Sequence, residues 1–567
     1  MLTDVELRED TTPPLHLREE ALEEQKRPDT AEQQELSFDK ANTTRSGCIA
    51  AVSMGATLSL LCFISGIYLL ITDQTTLGAL TSFSLGGQET LALAINAILA
   101  LCTDGMMFAH SVSLRWVLYR EQRLEFNTSI RLFTSSLKFG PNRWYINLLA
   151  LACLVLSYAS SSILLLSNQV VPQPEAQDKS SVLINATALV ALGFGLAGQA
   201  IIAGWCLISS RNLVPTWSSN PLNTASVLVQ KGDLTHHPGR CMISVHQKDM
   251  PNQGIYATKQ QGSMLQVQSE VRYILALLWS LAILAVAWPI TIAALSKSIG
   301  NASAVGQNYE PSCWRLGFDW HQSSLPCSRN FVTLYLSPYA NDHNPSSATF
   351  SYGAEAVLCV LFVCLIQVLQ TVALHCLELL VNLARDEATW RQACCERKKA
   401  PGTQLATNAF LAAASSWENS VLFVAKSLLH WIIGQSLIPS ISIEDAKKHE
   451  SYFSVAVEDL QLKHGFQFDM VYSRLIIYAV LAILLATFST YLALKRSKGC
   501  QPAALGHLQT LADLVDDWKT DQDGRMWWGD KTMDEACQLR HAGTCPDKTM
   551  LRPICAARYA GGIPVPN

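Results

Sequence analysis

Three places along the chain combine residue types and spacings that could do chemistry. Gln367, His375, Glu378, Asn382 and Arg385 recur so that, at about 100° per residue, they share one stripe of a helix. The helix is otherwise apolar. Ionisable groups at membrane depth are costly and face a bundle interior or a wet cavity, so His375 and Glu378 are candidates to relay protons or to hold a polar substrate. The competing reading is plain hydrogen bonding between helices, close to the hydrated end of the span. Asp104 is the second case, with Asn96 two turns earlier on the same face and Lys426 as a cation with which it can pair. It too reads as a structural polar contact. Cys537, His541, Cys545 and Cys555 are the third case. They offer zinc-type ligands, but structural zinc sites pair their ligands two to four residues apart. The spacing is too loose, and neither a metal nor a cofactor is expected.

Other motifs carry less. Gly193-Phe-Gly-Leu-Ala-Gly198 formally matches the dinucleotide fingerprint, which needs a preceding strand and a helix N-terminus aimed at pyrophosphate. Here it falls inside an apolar helix, where small residues let helices approach closely. The sequence contains no HExxH, GxSxG or GxxxxGK[ST] signature, the marks of zinc proteases, serine hydrolases and phosphate loops.

The elements that must position these residues follow from composition. The chain has 567 residues, of which 49% are hydrophobic and only 16% charged, with a net charge of −4. A soluble domain carries about 25% charged residues, so the deficit points to a bilayer. Near-neutral charge excludes a nucleic-acid binder driven by bulk basicity. A spanning helix needs about 20 mostly apolar residues. Residues 48–72, 90–114, 145–167, 181–209, 273–295, 354–383 and 475–494 meet that test. Residues 408–438 are ambiguous, because Glu418 and Lys426 interrupt them.

Loop charge sets the orientation. Arg115, Arg120, Arg123, Arg131, Lys138 and Arg143 follow the second span, and Arg211, Lys231, Arg240, Lys248 and Lys259 follow the fourth. Arg385, Arg391, Arg397, Lys398 and Lys399 follow the sixth, whereas 73–89 has no Lys or Arg. Both termini are therefore expected in the cytosol. Lys495, Arg496 and Lys498 after the last span require an even number of crossings, which favours eight over seven. Val421, Val424, Ala425, Leu428 and Ile432 form one apolar face, so an interfacial helix at 408–438 is the alternative.

The expected fold is an all-α polytopic bundle. Residues 1–46 form an acidic disordered tail, 47–497 the membrane region and 498–567 a cytosolic tail docked on the bundle. The long extracytoplasmic loop 296–353 contains Cys313 and Cys327, expected as a disulfide, and Asn301 as a glycosylation acceptor. Asn185-Ala-Thr187 is expected inside a span. Cys394, Cys395 and Cys500 sit beside basic residues near span ends, where they are expected as reduced thiols, with S-palmitoylation the alternative. Leu508, Leu511, Leu514, Val515 and Trp518 recur at helical spacing, which predicts a short amphipathic helix.

The cytosolic segments carry recurring motifs. They include Arg123-Leu-Glu-Phe-Asn127, Arg131-Leu-Phe-Thr134, Asn142-Arg-Trp-Tyr145, Ser219-Asn-Pro-Leu-Asn223 and Pro238-Gly-Arg-Cys241. Leu374-His-Cys-Leu-Glu-Leu-Leu-Val-Asn382, Arg385-Asp-Glu387, Trp417-Glu-Asn419, Gly506-His-Leu-Gln509, Trp528-Gly-Asp-Lys531 and Arg540-His-Ala-Gly543 continue the set. In these the chain resembles a family of uncharacterised multi-pass membrane proteins of filamentous fungi. The resemblance implies a fungal source and a membrane location, in the plasma membrane or an endomembrane, and no activity. The expected partner is the lipid bilayer, with no nucleic acid. The leading expectation is a non-enzymatic accessory, scaffold or sensor component, auxiliary to a biosynthetic pathway. A small-molecule transporter is the first alternative, and an integral-membrane enzyme acting on a lipophilic substrate is the second.

Overall fold

The computed structural model describes residues 38–72, 80–83, 85–167, 180–252, 254–302, 331–335, 352–394, 401–443, 464–532, 539–548 and 550–560. Cys313, Cys327, Cys395, Cys537 and the acidic stretch 1–37 lie outside the described residues, as does the Asn301 side chain. Helix dominates. The helices are α1 (Asn42–Thr72), α2 (Leu85–Arg120), α3 (Trp144–Ser162), α4 (Ala186–Ser209), α5 (Pro221–Gln230) and α6 (Met264–Val267). They continue with α7 (Glu270–Ala302), α8 (Tyr352–Arg391), α9 (Ala409–Ser415), α10 (Trp417–Ser436), α11 (Tyr472–Leu494) and α12 (Leu508–Leu514). Seven of them (α1, α2, α3, α4, α7, α8 and α11) are long and apolar enough to cross a membrane. Their outer faces expose Leu61, Ile64 and Ile71 on α1, Ile283 and Ile290 on α7, and Leu361 and Leu365 on α8. A soluble protein would bury such a surface; in lipid it is the solvated one.

Helix packing accounts for the glycine motif. Gly193, Gly195 and Gly198 all lie within α4. A Cβ on Gly195 would stand 2.4 Å from Ser157 Oγ, and one on Gly198 2.3 Å from Cys153 Sγ. The glycines let α4 press onto α3, and no dinucleotide turn exists there.

Short strands, absent from the all-α expectation, join the helix ends. On one face Leu80–Phe83 and Leu165–Ser167 flank Ser180–Ile184 in an antiparallel sheet. On the same face Phe331–Tyr335 and Leu437–Ile443 flank His464–Val471, and the two sheets touch through Leu165–Ser167 and Leu437–Ile443. This corrects the span expected at 181–209. Val182, Leu183 and Ile184 are apolar but pair as a strand, and α4 starts only at Ala186. Asn185 is correspondingly not inside a span: its side chain caps α4 by accepting from Ala188 N at 3.1 Å.

The opposite, basic face is a knit cap. Trp217 N donates to Lys40 O at 3.2 Å, Asn127 N to Gly506 O at 2.8 Å and Val245 N to Ala503 O at 2.9 Å. Asn220 Nδ2 donates to Gln404 O at 2.6 Å. Glu387, at the end of α8, receives Ala504 N and Leu505 N, each at 2.9 Å, and Arg391 Nε at 2.7 Å. Gly506 has φ +72°, and a Cβ there would stand 2.6 Å from the Asp386 carboxylate, so only glycine fits this turn. Cys500 is bonded to Cys555 across 55 residues. That overturns the reading of Cys500 as a reduced or palmitoylated juxtamembrane thiol and removes Cys555 from the zinc-type set. His541 is committed to Asp516 Oδ2 at 2.6 Å, so the zinc-type residues among the described ones do not converge.

α10 joins the two faces. Thr403–Gln404 ahead of it pairs with Arg525–Met526 of the cap, while Leu437–Ile443 directly after it belongs to the strand face. α2, α3, α8 and α11 pack around it. Its amphipathicity runs inside out: Val421 and Val424 face outward, the latter 50% exposed, whereas Lys426 and His430 are buried. An interfacial helix would turn its polar side to water. Here the polar side turns into the bundle.

Candidate functional site

The sixth-span stripe and Asp104 meet at the centre of the bundle. Lys426, 1% exposed, extends from α10 and donates to Asp104 Oδ1 of α2 at 2.6 Å and to Glu378 Oε1 of α8 at 2.7 Å. Arg131, from the segment between α2 and α3, places Nη1 3.3 Å from Glu378 Oε2. His375 Nδ1 lies 2.7 Å from Glu378 Oε1 and 3.4 Å from Arg131 Nη2. Two carboxylates and two permanent cations therefore close on one another, with an imidazole against Glu378. Helical spacing explains part of this, since His375 and Glu378 are three residues apart and stack on one face. The rest is tertiary: Lys426 is 322 residues from Asp104 in the chain.

A second polar cluster adjoins the first. Tyr158 of α3 stacks on His430 with ring centroids 3.7 Å apart and lies 6.2 Å from His375. Its hydroxyl donates to Thr103 Oγ1 at 3.2 Å, Thr103 itself donating to Ala100 O. Gln367 Oε1 and Gln370 Nε2 lie 3.1 and 3.0 Å from His430 Nδ1, and Gln367 Nε2 donates to Ser162 Oγ at 2.7 Å. Nε2 of His375, Nε2 of His430 and Oε1 of Gln370 are buried with no hydrogen-bond partner among the described residues. Toward the strand face, Arg474 pairs with Glu89 at 2.6 Å and donates to Gln435 O at 3.1 Å.

Gln367, His375, Glu378 and Asp104 thus belong to one polar interior, with Glu378 and Asp104 in direct ionic contact with Lys426 and His375 against Glu378. Asn382 does not join it; it lies half-buried one turn beyond Glu378. Arg385 approaches Asp386 at 3.8 Å instead. Asn96 is also tertiary, receiving Ser161 Oγ at 3.1 Å. Arg131, Tyr158, Gln370 and His430 are members that sequence reading missed. Arg131 lies in a loop expected to serve orientation only, and His430 lies in the span whose existence was in doubt. The signal for His430 was present: it follows Lys426 by four residues, on the same helical face.

Asp104, His375 and Glu378 also form the one group of His, Cys, Asp and Glu among the described residues close enough to share a metal, with ligand atoms within 4.8 Å of one another. The charge complement of a cation is already supplied there by the Lys426 ammonium, which holds both carboxylates. Chemically the centre can pin three helices by charge, or pass a proton between Glu378 and His375. Comparison of the chain with protein-family models, with curated proteins and with solved structures finds no match.

Proposed function

We propose an eight-crossing membrane protein of the fungal type, both termini cytosolic, that works as a non-enzymatic accessory, scaffold or sensor component. The observation that carries this is the sharing of Lys426 between Asp104 and Glu378. A charge set closed on itself fixes α2, α8 and α10 to one another, which suits a rigid component. α10 as the eighth crossing is supported by its ends lying on opposite faces and by its outward apolar stripe. Epitope tags at residue 567 and within 303–330 test the topology: both must be protected or exposed as opposites, with the C-terminal tag inside.

A transporter is the second reading, favoured by one specific feature. The side chains of Asp104 and Glu378 keep 33% and 21% exposure while their shared ammonium keeps 1%, so the carboxylates remain reachable where the cation is not. The experiment that separates the two is metabolite profiling of a deletion strain complemented with the Lys426→Met, Asp104→Asn, Glu378→Gln triple variant. Restoration of the wild-type profile supports the scaffold reading. A folded triple variant that fails to restore it supports transport.

A further inference from the structure

Two helices of the bundle centre are buried on every residue but one line each. From Cys102 to Leu118, α2 is partly exposed only at Asp104, Phe108 and Ser111. From Ala373 to Glu387, α8 is partly exposed only at Glu378, Asn382 and Arg385. Both sets run i, i+4, i+7, the spacing of a single helical stripe. The two stripes face each other. Lys426 joins their inner ends, Asp104 and Glu378. Arg131 joins them again nearer the cap, its Nη1 lying 3.3 Å from Glu378 Oε2 and 3.5 Å from Ser111 Oγ. One turn further in, Ala100 and Leu374 are fully buried. The stripes therefore wall a narrow crevice that runs in from the cap end and stops at the two carboxylates.

What this crevice offers is hydrogen-bond acceptors. Its cations are sealed, with side-chain exposures of 1% for Lys426 and 8% for Arg131, whereas Asp104 keeps 33%. Asp104 gives Oδ1 to Lys426, and its Oδ2 has no partner among the described residues. His375 adds a second acceptor. Its Nδ1 stands 2.7 Å from the Glu378 carboxylate, which only accepts, so Nδ1 carries the proton and Nε2 a lone pair. That Nε2 is buried with no partner among the described residues, on a side chain with no exposure. Phe108, one turn capward of Asp104, sets an aromatic ring beside the carboxylate and meets Phe410 with centroids 5.9 Å apart.

We propose that the crevice binds a small primary ammonium ion, of the size of ammonium or methylammonium. Such an ion carries the charge that an exposed carboxylate takes, the N–H donors that the idle acceptors lack, and a cationic face for Phe108. An anion would meet the exposed acid first. Width sets the size limit, since the Arg131 guanidinium reaches both walls by itself. The inference rests on the sensor reading and names what such a sensor detects.

The test is calorimetric titration of full-length protein in detergent with methylammonium chloride at pH 7 and constant ionic strength. Potassium and tetramethylammonium chlorides are the comparators, equal in charge but without N–H donors. Saturable binding of methylammonium, tenfold or more tighter than of either comparator, is expected. Asp104→Asn weakens it about tenfold or more. Phe108→Leu weakens it about threefold and leaves every ion pair whole, so it reads the site even where Asp104→Asn fails to fold. No saturable binding by the wild type, equal binding of tetramethylammonium, or unchanged affinity in folded Asp104→Asn and in Phe108→Leu overturns the proposal. Absence of binding leaves the scaffold reading standing. Binding in the wild type, together with a wild-type metabolite profile restored by Asp104→Asn, upholds the site and removes the sensor role.

Discussion

The bundle centre and the cap both bury carboxylates, and they satisfy them by different means. Asp104 and Glu378 are held by side chains: Lys426, Arg131 and His375. Glu387 and Asp516 are held by main chain as well as side chain: the amides of Ala504, Leu505 and Thr544 join Arg391, His541 and Lys531. The difference follows from where the helices are. Inside a spanning helix every amide is already spent on the carbonyl four residues back, so an acid there is met by side chains. At the cap, loops and short strands leave amides free to converge on a carboxylate. The centre is therefore stabilised by side-chain charge, and the cap by ion pairs together with oriented main-chain dipoles and a covalent bond.

The largest effect that tests this contrast is at Lys426. Lys426→Met leaves Asp104 and Glu378 without their shared ammonium, and breaking a buried pair costs about 3–5 kcal/mol. Thermal unfolding of the purified protein is expected to show a large loss. The Lys426→Met, Asp104→Asn, Glu378→Gln triple variant recovers part of it, because the two carboxylates no longer stand without their ammonium, while Arg131 still loses Glu378. A single variant as stable as wild type would break the distinction between centre and cap. Reduction of Cys500–Cys555 comes next. Opening a loop of 55 residues releases about 4 kcal/mol of chain entropy in the entropic model, confined to the cap. Hydrogen exchange is expected to accelerate over 508–560 and to leave α2, α8 and α10 protected.

Glu387→Gln is smaller. The amide oxygen still accepts from Ala504 and Leu505, while the ionic contact with Arg391 at 2.7 Å is lost. A hydrogen bond to a charged group is worth about 1.5–3 kcal/mol, so the loss stays within that range and is read as a lowered midpoint for cap opening. Asp104→Asn, nominally the same change at the centre, is expected to cost more, since no amide stands by to share the load.

How far these regions were legible in sequence follows the same division. The seven long helices were readable because about 20 apolar residues in a row have few other uses. The course of α10 was harder, since a hydropathy sum counts Lys426 as a penalty and cannot see that its partners lie 322 and 48 residues away. Val182, Leu183 and Ile184 were absorbed into a span because an apolar run of that length does not distinguish strand from helix. The Cys500–Cys555 bond was out of reach for a related reason: it joins segments that only the docked tail brings together.

The smallest expected effect, and the one that most sharpens the contrast, is the pH response of the cap. His541 faces Asp516 from the segment after α12, with Lys531 also on Asp516 and Cys241, between α5 and α6, nearby. Its pKa rises from 6.5 to about 9 on folding. A raised folded value means that the stabilisation is complete below 6.5 and is lost as pH climbs through about 9. Asp516 acts in the opposite sense: its lowered folded value gives stabilisation that is present above the usual carboxylate range, near 4, and is lost in acid. The cap is therefore expected to be most tightly docked between about 4 and 6.5 and to loosen gradually from 6.5 to 9. The readout is hydrogen exchange of 539–545, corrected for the intrinsic rise of exchange with pH. His541→Gln abolishes the alkaline loosening and leaves the acid limb. An alkaline limb that survives in His541→Gln would overturn its assignment to this imidazole.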